Sequence, residues 1–175
     1  MKLNPINSFY DHTDDNIFGE SWRKAQAQKL YTGNLSRNKV SRLRNFLKGQ
    51  SPELINLMSV VKSICISNRH YRGIESIDIS KIRGSEGRTK DFDVSFRPLL
   101  KKQRDRWQSV ASARLSNIPL PPVELVQVGD TYFVRDGHHR ISVARALGEE
   151  FIDAAIVSWD LCEPNLPPKT LQDGV

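Results

Sequence analysis

The sequence predicts an α+β fold in which a helical N-terminal lobe precedes a small mixed sheet with flanking helices. Three observations carry that expectation. Helix signals at Trp22, Ser36 and Ser51 come before any convincing strand. Two apolar runs, Val123–Val128 and Thr131–Arg135, flank Gly129-Asp130 as an antiparallel hairpin. The second run then passes through a glycine turn into Ile141–Leu147, which reads as a helix stopped by Gly148.

Taken in order, residues 1–18 show little periodicity and read as a loosely packed arm. Phe18–Trp22 opens a helix through Tyr31, and Thr32-Gly33-Asn34 is its break. Ser36 caps a second helix, with Val40, Leu43, Phe46 and Leu47 on one side, ended by Gly49. Ser51-Pro52-Glu53 has the cap-then-proline signature of a third helix, which carries Leu54, Ile55, Leu57, Met58 and Val61 toward Cys65. The helical prefix ends near Asn68–Gly73. Ile74–Ile79 reads as a short strand leading to a loop at Arg83–Arg88.

Asp91 to Asp93 cap a long helix with its body at Pro98–Leu115. Its inner face is Leu99, Leu100, Trp107, Val110, Ala111 and Leu115, and its outer face Lys101, Lys102, Arg104 and Arg106. Ile118–Pro122 is a stiff linker. After the hairpin and its helix comes a closing strand, Phe151–Val157, and an irregular proline-bearing tail from Asp160. The expected division is a basic helical extension over 1–70, an α+β domain over 71–160 and a tail over 161–175.

In its 175 residues, 38% are hydrophobic and 26% charged, the balance of a soluble globular chain. No apolar run approaches the ~20 residues of a membrane span, and the start lacks a secretory apolar segment. The expected location is cytoplasmic, with no membrane partner. Cys65 and Cys162 are far apart in sequence and have no metal-ligand spacing, so they read as reduced, partly buried thiols. The formal charge of +6 is uneven: no acid occurs between Glu20 and Glu53, while Arg37, Lys39, Arg42 and Arg44 accumulate there. That run is a candidate DNA or RNA footprint, and equally a solvated helix face.

The richest chemistry is Asp136-Gly137-His138-His139-Arg140, at the start of the helix after the hairpin. Backbone N–H groups there have no intrahelical partner and the macrodipole is positive, which suits phosphate. Arg140 offers a two-point grip on phosphate, or a salt bridge to Asp136 or Glu149. Asp136 orients a histidine, helps hold a magnesium–phosphate complex, or caps the helix. Adjacent His138 and His139 diverge, so one faces a ligand while the other braces the turn, and no third ligand completes a zinc site. Ser142 reaches a phosphate or bonds back to its own helix.

The stretch Gly129–Gly148 resembles the second conserved box of the ParB/sulfiredoxin-like superfamily. Ile77–Ile82, with the loop closing on Arg88, resembles its first box, where a strand leads to a phosphate-contacting arginine. The resemblance spans 74–158. It implies a nucleotide held across both boxes by Arg88, Asp136, Gly137, His138, His139, Arg140 and Ser142, with Mg2+ reaching Asp136 through the phosphates. Sulfiredoxins are similar at Gly137, His139 and Arg140 but need a cysteine where His138 stands, so sulfinic acid repair is not expected. Chromosome-partitioning relatives have Gly-Glu-Arg-Arg here and continue into a helix-turn-helix domain that is not read in this sequence. The Asp-Gly-His-His-Arg form is shared with ParB-like free-serine kinases, where a separate glutamate activates the substrate hydroxyl; Glu86 is its positional counterpart.

The expected function is therefore binding of a nucleotide di- or triphosphate at Asp136–Arg140. If the chain is an enzyme, it transfers or hydrolyses a phosphoryl group, with Glu86, His138 or His139 as general base. One alternative is a nuclease or nucleic-acid regulator using the basic helices 22–48. Another is a non-catalytic nucleotide sensor whose helical lobe docks a protein partner.

Overall fold

The structure, a computed structural model, describes residues 19–34, 36 and 54–162. It is α+β, built on a six-stranded mixed sheet. The described elements are α1 (19–34), β1 (Ile55–Asn56), α2 (Leu57–Val61), β2 (Ile66–Asp78), β3 (Ile82–Ser85), α3 (Arg104–Leu115), β4 (Val123–Val128), β5 (Thr131–Asp136), α4 (His138–Leu147) and β6 (Phe151–Leu161). The strands lie in the order β1-β3-β5-β4-β6-β2. β3 runs parallel to both β1 and β5, β4 runs parallel to β6, and the pairs β5/β4 and β6/β2 are antiparallel.

The central strands are covered on both sides. Alternate strand residues point to opposite faces. On one face Val123, Leu125, Val134 and Ile156 pack with Ile141 and Ala144 of α4. On the other, Val126, Val128, Phe133 and Trp159 pack with Leu57 of α2. Two-sided burial is why β4 reads as a nearly unbroken apolar run rather than a clean alternation. A further cluster joins α1 to the two long helices through Ala27, Tyr31, Trp107, Ala111 and Val143. There the Tyr31 and Trp107 rings lie 5.5 Å apart, and the Trp107 indole N–H donates to Ser142 Oγ at 2.8 Å.

Several expected elements differ. Thr32-Gly33-Asn34 does not break α1, which runs through 34. Thr32 Oγ1 donates back to the Gln28 and Lys29 carbonyls, and Asn34 is buried, so packing outweighs the ~1 kcal/mol helix penalty of a glycine. The helix expected from Ser36 to Gly49 lies outside the described residues apart from Ser36, and so does Ser51-Pro52-Glu53. The third helix shrinks to the five residues of α2, capped by Asn56 Oδ1 on the Met58 N–H at 2.9 Å, because Ile55 and Asn56 pair with β3 instead.

Asn68–Gly73 is not the end of a helical prefix; it belongs to the 13-residue β2, whose residues pair along β6. The Arg83–Arg88 loop begins as β3, where Gly84 packs so tightly that a Cβ would lie 2.3 Å from the Phe133 ring. Asp93 caps a local turn, accepting from the Ser95 and Arg97 N–H groups, so α3 starts only at Arg104 after a 3-10 turn at Lys101–Gln103. β6 extends past Val157 to Leu161 and takes in Asp160. The hairpin is as expected, with Gly129 at φ 57°.

The reading of two separate thiols is also corrected. Cys65 and Cys162 form a disulfide with their Cα atoms 5.3 Å apart. Pairing of β2 with β6 brings them together, and the Cys162 N–H donates to the Cys65 carbonyl at 3.0 Å. Sequence distance hid what strand register supplies. No described helix is long and apolar enough to cross a membrane.

The bond closes a segment of 97 residues. Cys65→Ser/Cys162→Ser is expected to lose about 2–5 kcal/mol of stability in urea unfolding relative to the oxidised chain. Peptide mapping without reductant should recover the crosslink; equal stability of the two proteins would mean that β2 is held without it.

Candidate functional site

The turn between β5 and α4 is forced by one residue. Gly137 has φ 96° and ψ 18°, the left-handed region, and a Cβ there would lie 2.6 Å from Val123 Cγ1. Both dihedral and space demand glycine. α4 then begins with no side-chain cap and no acid in its first turn. Its opening N–H groups therefore have neither intrahelical nor side-chain partners.

A cleft of about 310 Å³ lies over this helix start, walled by Arg88, by Arg106 and Val110 of α3, and by the turn Asp136–Arg140. A larger recess of about 710 Å³ lies at the opposite end of α4, beside Arg145 and Gly148. The recess contains no histidine, and the Arg145 guanidinium is already bonded to the carbonyls of Ile79, Ile82 and Val94. The cleft carries the richer chemistry.

Both histidines are buried, at 3% and 5% exposure. The His138 ring stacks on Phe92 with centroids 5.5 Å apart, and its Nε2 lies 2.8 Å from Ser85 Oγ. The His139 ring meets Phe92 edge-on at 5.2 Å, and its buried Nδ1 has no hydrogen-bond partner. Burial first, and then the positive charge of Arg88, pushes each imidazole down to a pKa of about 4. For His139, Arg106 adds to the same effect. Both rings are therefore neutral at pH 7.

Arg140 borders the cleft with three of its five N–H donors already engaged. Its guanidinium holds Asp136 at 2.5 Å and donates to the carbonyls of Pro121 and Pro122 at 2.5 and 2.7 Å. Of its two sequence readings, phosphate grip or salt bridge, the bonds present are those of the salt bridge to Asp136. Glu149, the other expected partner, instead takes Arg114 at 2.6 Å. Arg88 uses its Nε on Asp91 at 2.8 Å while lining the cleft.

Glu86 is ion-paired with Arg135 at 2.8 Å and is not a wall of the cleft. Ser142 is buried, its hydroxyl accepting from Trp107 rather than facing the cleft. Arg37, Lys39, Arg42 and Arg44 lie outside the described residues. Among the described residues, no three His, Cys, Asp or Glu side chains gather as a metal site.

Three contributors escaped the sequence reading. Arg106 was assigned to the outer face of its helix, but it lines the cleft together with Val110, four residues on and so on the same helix face. Phe92 touches both imidazoles, and the Arg88 guanidinium carbon sits 5.8 Å over its ring. Ser85 carries no motif that would mark it.

No protein-family model matches the chain, and no curated protein matches it. Among solved structures it is similar to sulfiredoxin from Arabidopsis thaliana, with 22% identity over 47% of this chain and 82% of that one, at a TM-score of 0.37. The likeness is distant and covers part of the fold.

Two consequences can be measured. Gly137→Ala must relocate the start of α4, and is expected to cost about 2–4 kcal/mol in chemical unfolding, above the usual overpacking penalty because φ is also strained; an unchanged midpoint would show that the turn tolerates a Cβ. The histidines give the second. Their folded pKa of about 4 lies below the model value of 6.5, so the unfolded chain binds more protons in between. Stability is intact above pH 6.5, falls as pH drops toward 4, and levels off below. The slope is up to about 1.4 kcal/mol per pH unit for each ring. His138→Gln/His139→Gln should show a shallower decline over that window, and identical slopes would mean that the rings titrate normally.

Proposed function

We propose that the cleft binds an oxyanion, the phosphate end of a nucleotide di- or triphosphate, at the start of α4. One convergence carries this reading: Arg88, Arg106 and the buried His139, whose Nδ1 has no partner in the structure, all border the cleft over an uncapped helix N-terminus. Such a terminus presents roughly half a positive charge and several free N–H donors. Two guanidiniums add full charges, and a neutral imidazole in its Nδ1–H form would add a donor without taking up a further proton. A volume near 310 Å³ suits a phosphate chain, with the nucleoside left toward solvent. Asp136 is already paired with Arg140, so a magnesium ion would arrive on the phosphates rather than be held by a protein cage.

Binding without turnover, the sensor reading, is favoured over phosphoryl transfer by a specific observation. General acid–base catalysis works best with a pKa near the working pH. Both imidazoles lie near 4, and Glu86 is engaged by Arg135 outside the cleft. On location, the expected cytoplasmic setting stands against the Cys65–Cys162 bond, because disulfides persist mainly in oxidising compartments. Thiol trapping in intact cells decides between them.

Calorimetric titration of the full chain with pyrophosphate, ADP, ATP and CTP tests the site. Arg88→Ala and Arg106→Ala are each expected to weaken binding about 10-fold or more, the worth of a charge-assisted hydrogen bond. Absence of binding by all four compounds would remove the reading. ATP hydrolysis at a steady rate that Arg106→Ala abolishes would replace the sensor with an enzyme.

A further inference from the structure

We propose that Ser85 is the positioning residue of this cleft: its one hydroxyl fixes His138 as the Nδ1–H tautomer and ties that ring to the Arg88 loop. The tautomer assignment stands on its own; its consequence for ligand binding rests on the anion reading above.

Ser85 is the last residue of β3 and has no exposed surface. Four polar groups surround its Oγ. The N–H groups of Gly87 and Arg88 approach at 3.3 and 3.0 Å, His138 Nε2 at 2.8 Å, and the Val134 carbonyl at 3.4 Å. A hydroxyl has two lone pairs and one proton. The two backbone N–H groups can only donate, so they take both lone pairs. The hydroxyl proton must then find an acceptor.

Val134 offers a poor one. At 3.4 Å it lies beyond the normal O–H···O range, and its oxygen already accepts the Glu86 N–H at 3.0 Å. His138 Nε2, at 2.8 Å, has the right distance. It accepts, and the proton of the neutral ring therefore sits on Nδ1. The opposite tautomer would press three donors onto two lone pairs and leave the hydroxyl proton to the long contact. Burial makes that misfit costly.

Two results follow for the site. His138, a wall of the cleft, has an N–H rather than a second lone pair to offer an oxyanion, and a lone pair would repel one. The backbone of Arg88 is anchored to the same oxygen, so the loop that carries this guanidinium and the first turn of α4 hold one relative position. Ser85 itself is no nucleophile, being sealed from the cleft with both lone pairs engaged.

The test is long-range 1H–15N correlation on the full chain labelled at histidine, at pH 7, with the His138 signals assigned by their loss in His138→Gln. The expected pattern is a protonated Nδ1 and a bare Nε2; a protonated Nε2 in the unsubstituted chain overturns the assignment. Ser85→Ala should shift the pattern toward Nε2–H, and weaken pyrophosphate binding about 5- to 10-fold, as for one lost neutral hydrogen bond. Ser85→Thr, which keeps the hydroxyl, should restore the Nδ1–H pattern. An unchanged tautomer in Ser85→Ala also overturns the proposal. If the tautomer follows Ser85 while pyrophosphate binds no form of the chain, the lock stands and the anion reading fails.

Discussion

The site depends on the absence of one methyl group. At Gly137 the chain leaves β5 in the left-handed region, with Val123 of the neighbouring strand where a side chain would be. Only this close approach lets α4 start immediately above the sheet and bury Ile141 and Ala144 against Val123 and Leu125. The same approach places the uncapped N-terminus beside β3 and α3, the elements that bring Ser85, Arg88 and Arg106. Core packing and site geometry therefore share one backbone turn.

The histidines show what that geometry costs. A buried imidazole with an unpartnered nitrogen forfeits hydrogen bonding worth about 1–3 kcal/mol. His139 does so beside two arginines that further oppose its protonation. A core chosen only for stability would place an apolar residue there, and departures of this kind concentrate where function is served. Phe92 makes the arrangement tolerable by giving both rings an aromatic neighbour.

Much of the local structure was legible because its signals are local. Gly129-Asp130 between two apolar runs specifies a hairpin, and a glycine between β5 and an apolar helix specifies the turn that holds Asp136–Arg140. What failed were segments whose state is set by distant partners. Asn68–Gly73 has no strong strand pattern, and β6 supplies its pairing. Ile55 and Asn56 lie in a helix-like apolar run but pair with Gly84 and Ser85. The disulfide shares that cause, since 97 residues separate its cysteines and only β2/β6 register joins them. Within the site, the motif located the histidines and the Arg83–Arg88 loop pointed to Arg88, but a single sequence cannot show that Arg106 turns toward them or that Ser85 sits behind His138.

Arginines around one turn can divide their labour, and here the division follows burial and partners. Arg140, the motif's own guanidinium, spans Asp136 and two proline carbonyls, so it secures the linker before β4 to the first turn of α4. Releasing it toward a ligand would strand those acceptors and Asp136 together. Arg88 has spent one nitrogen on Asp91, and Arg106 lines the cleft from a different helix. Inside the motif His139 Nδ1 has no partner, while the further cationic charge over the helix start comes from Arg88 and Arg106, outside it. The short motif builds the turn, and the loop after β3 and α3 bring two guanidiniums to the cleft above it. Arg88 and Arg106 can therefore be substituted without touching the turn on which the fold depends.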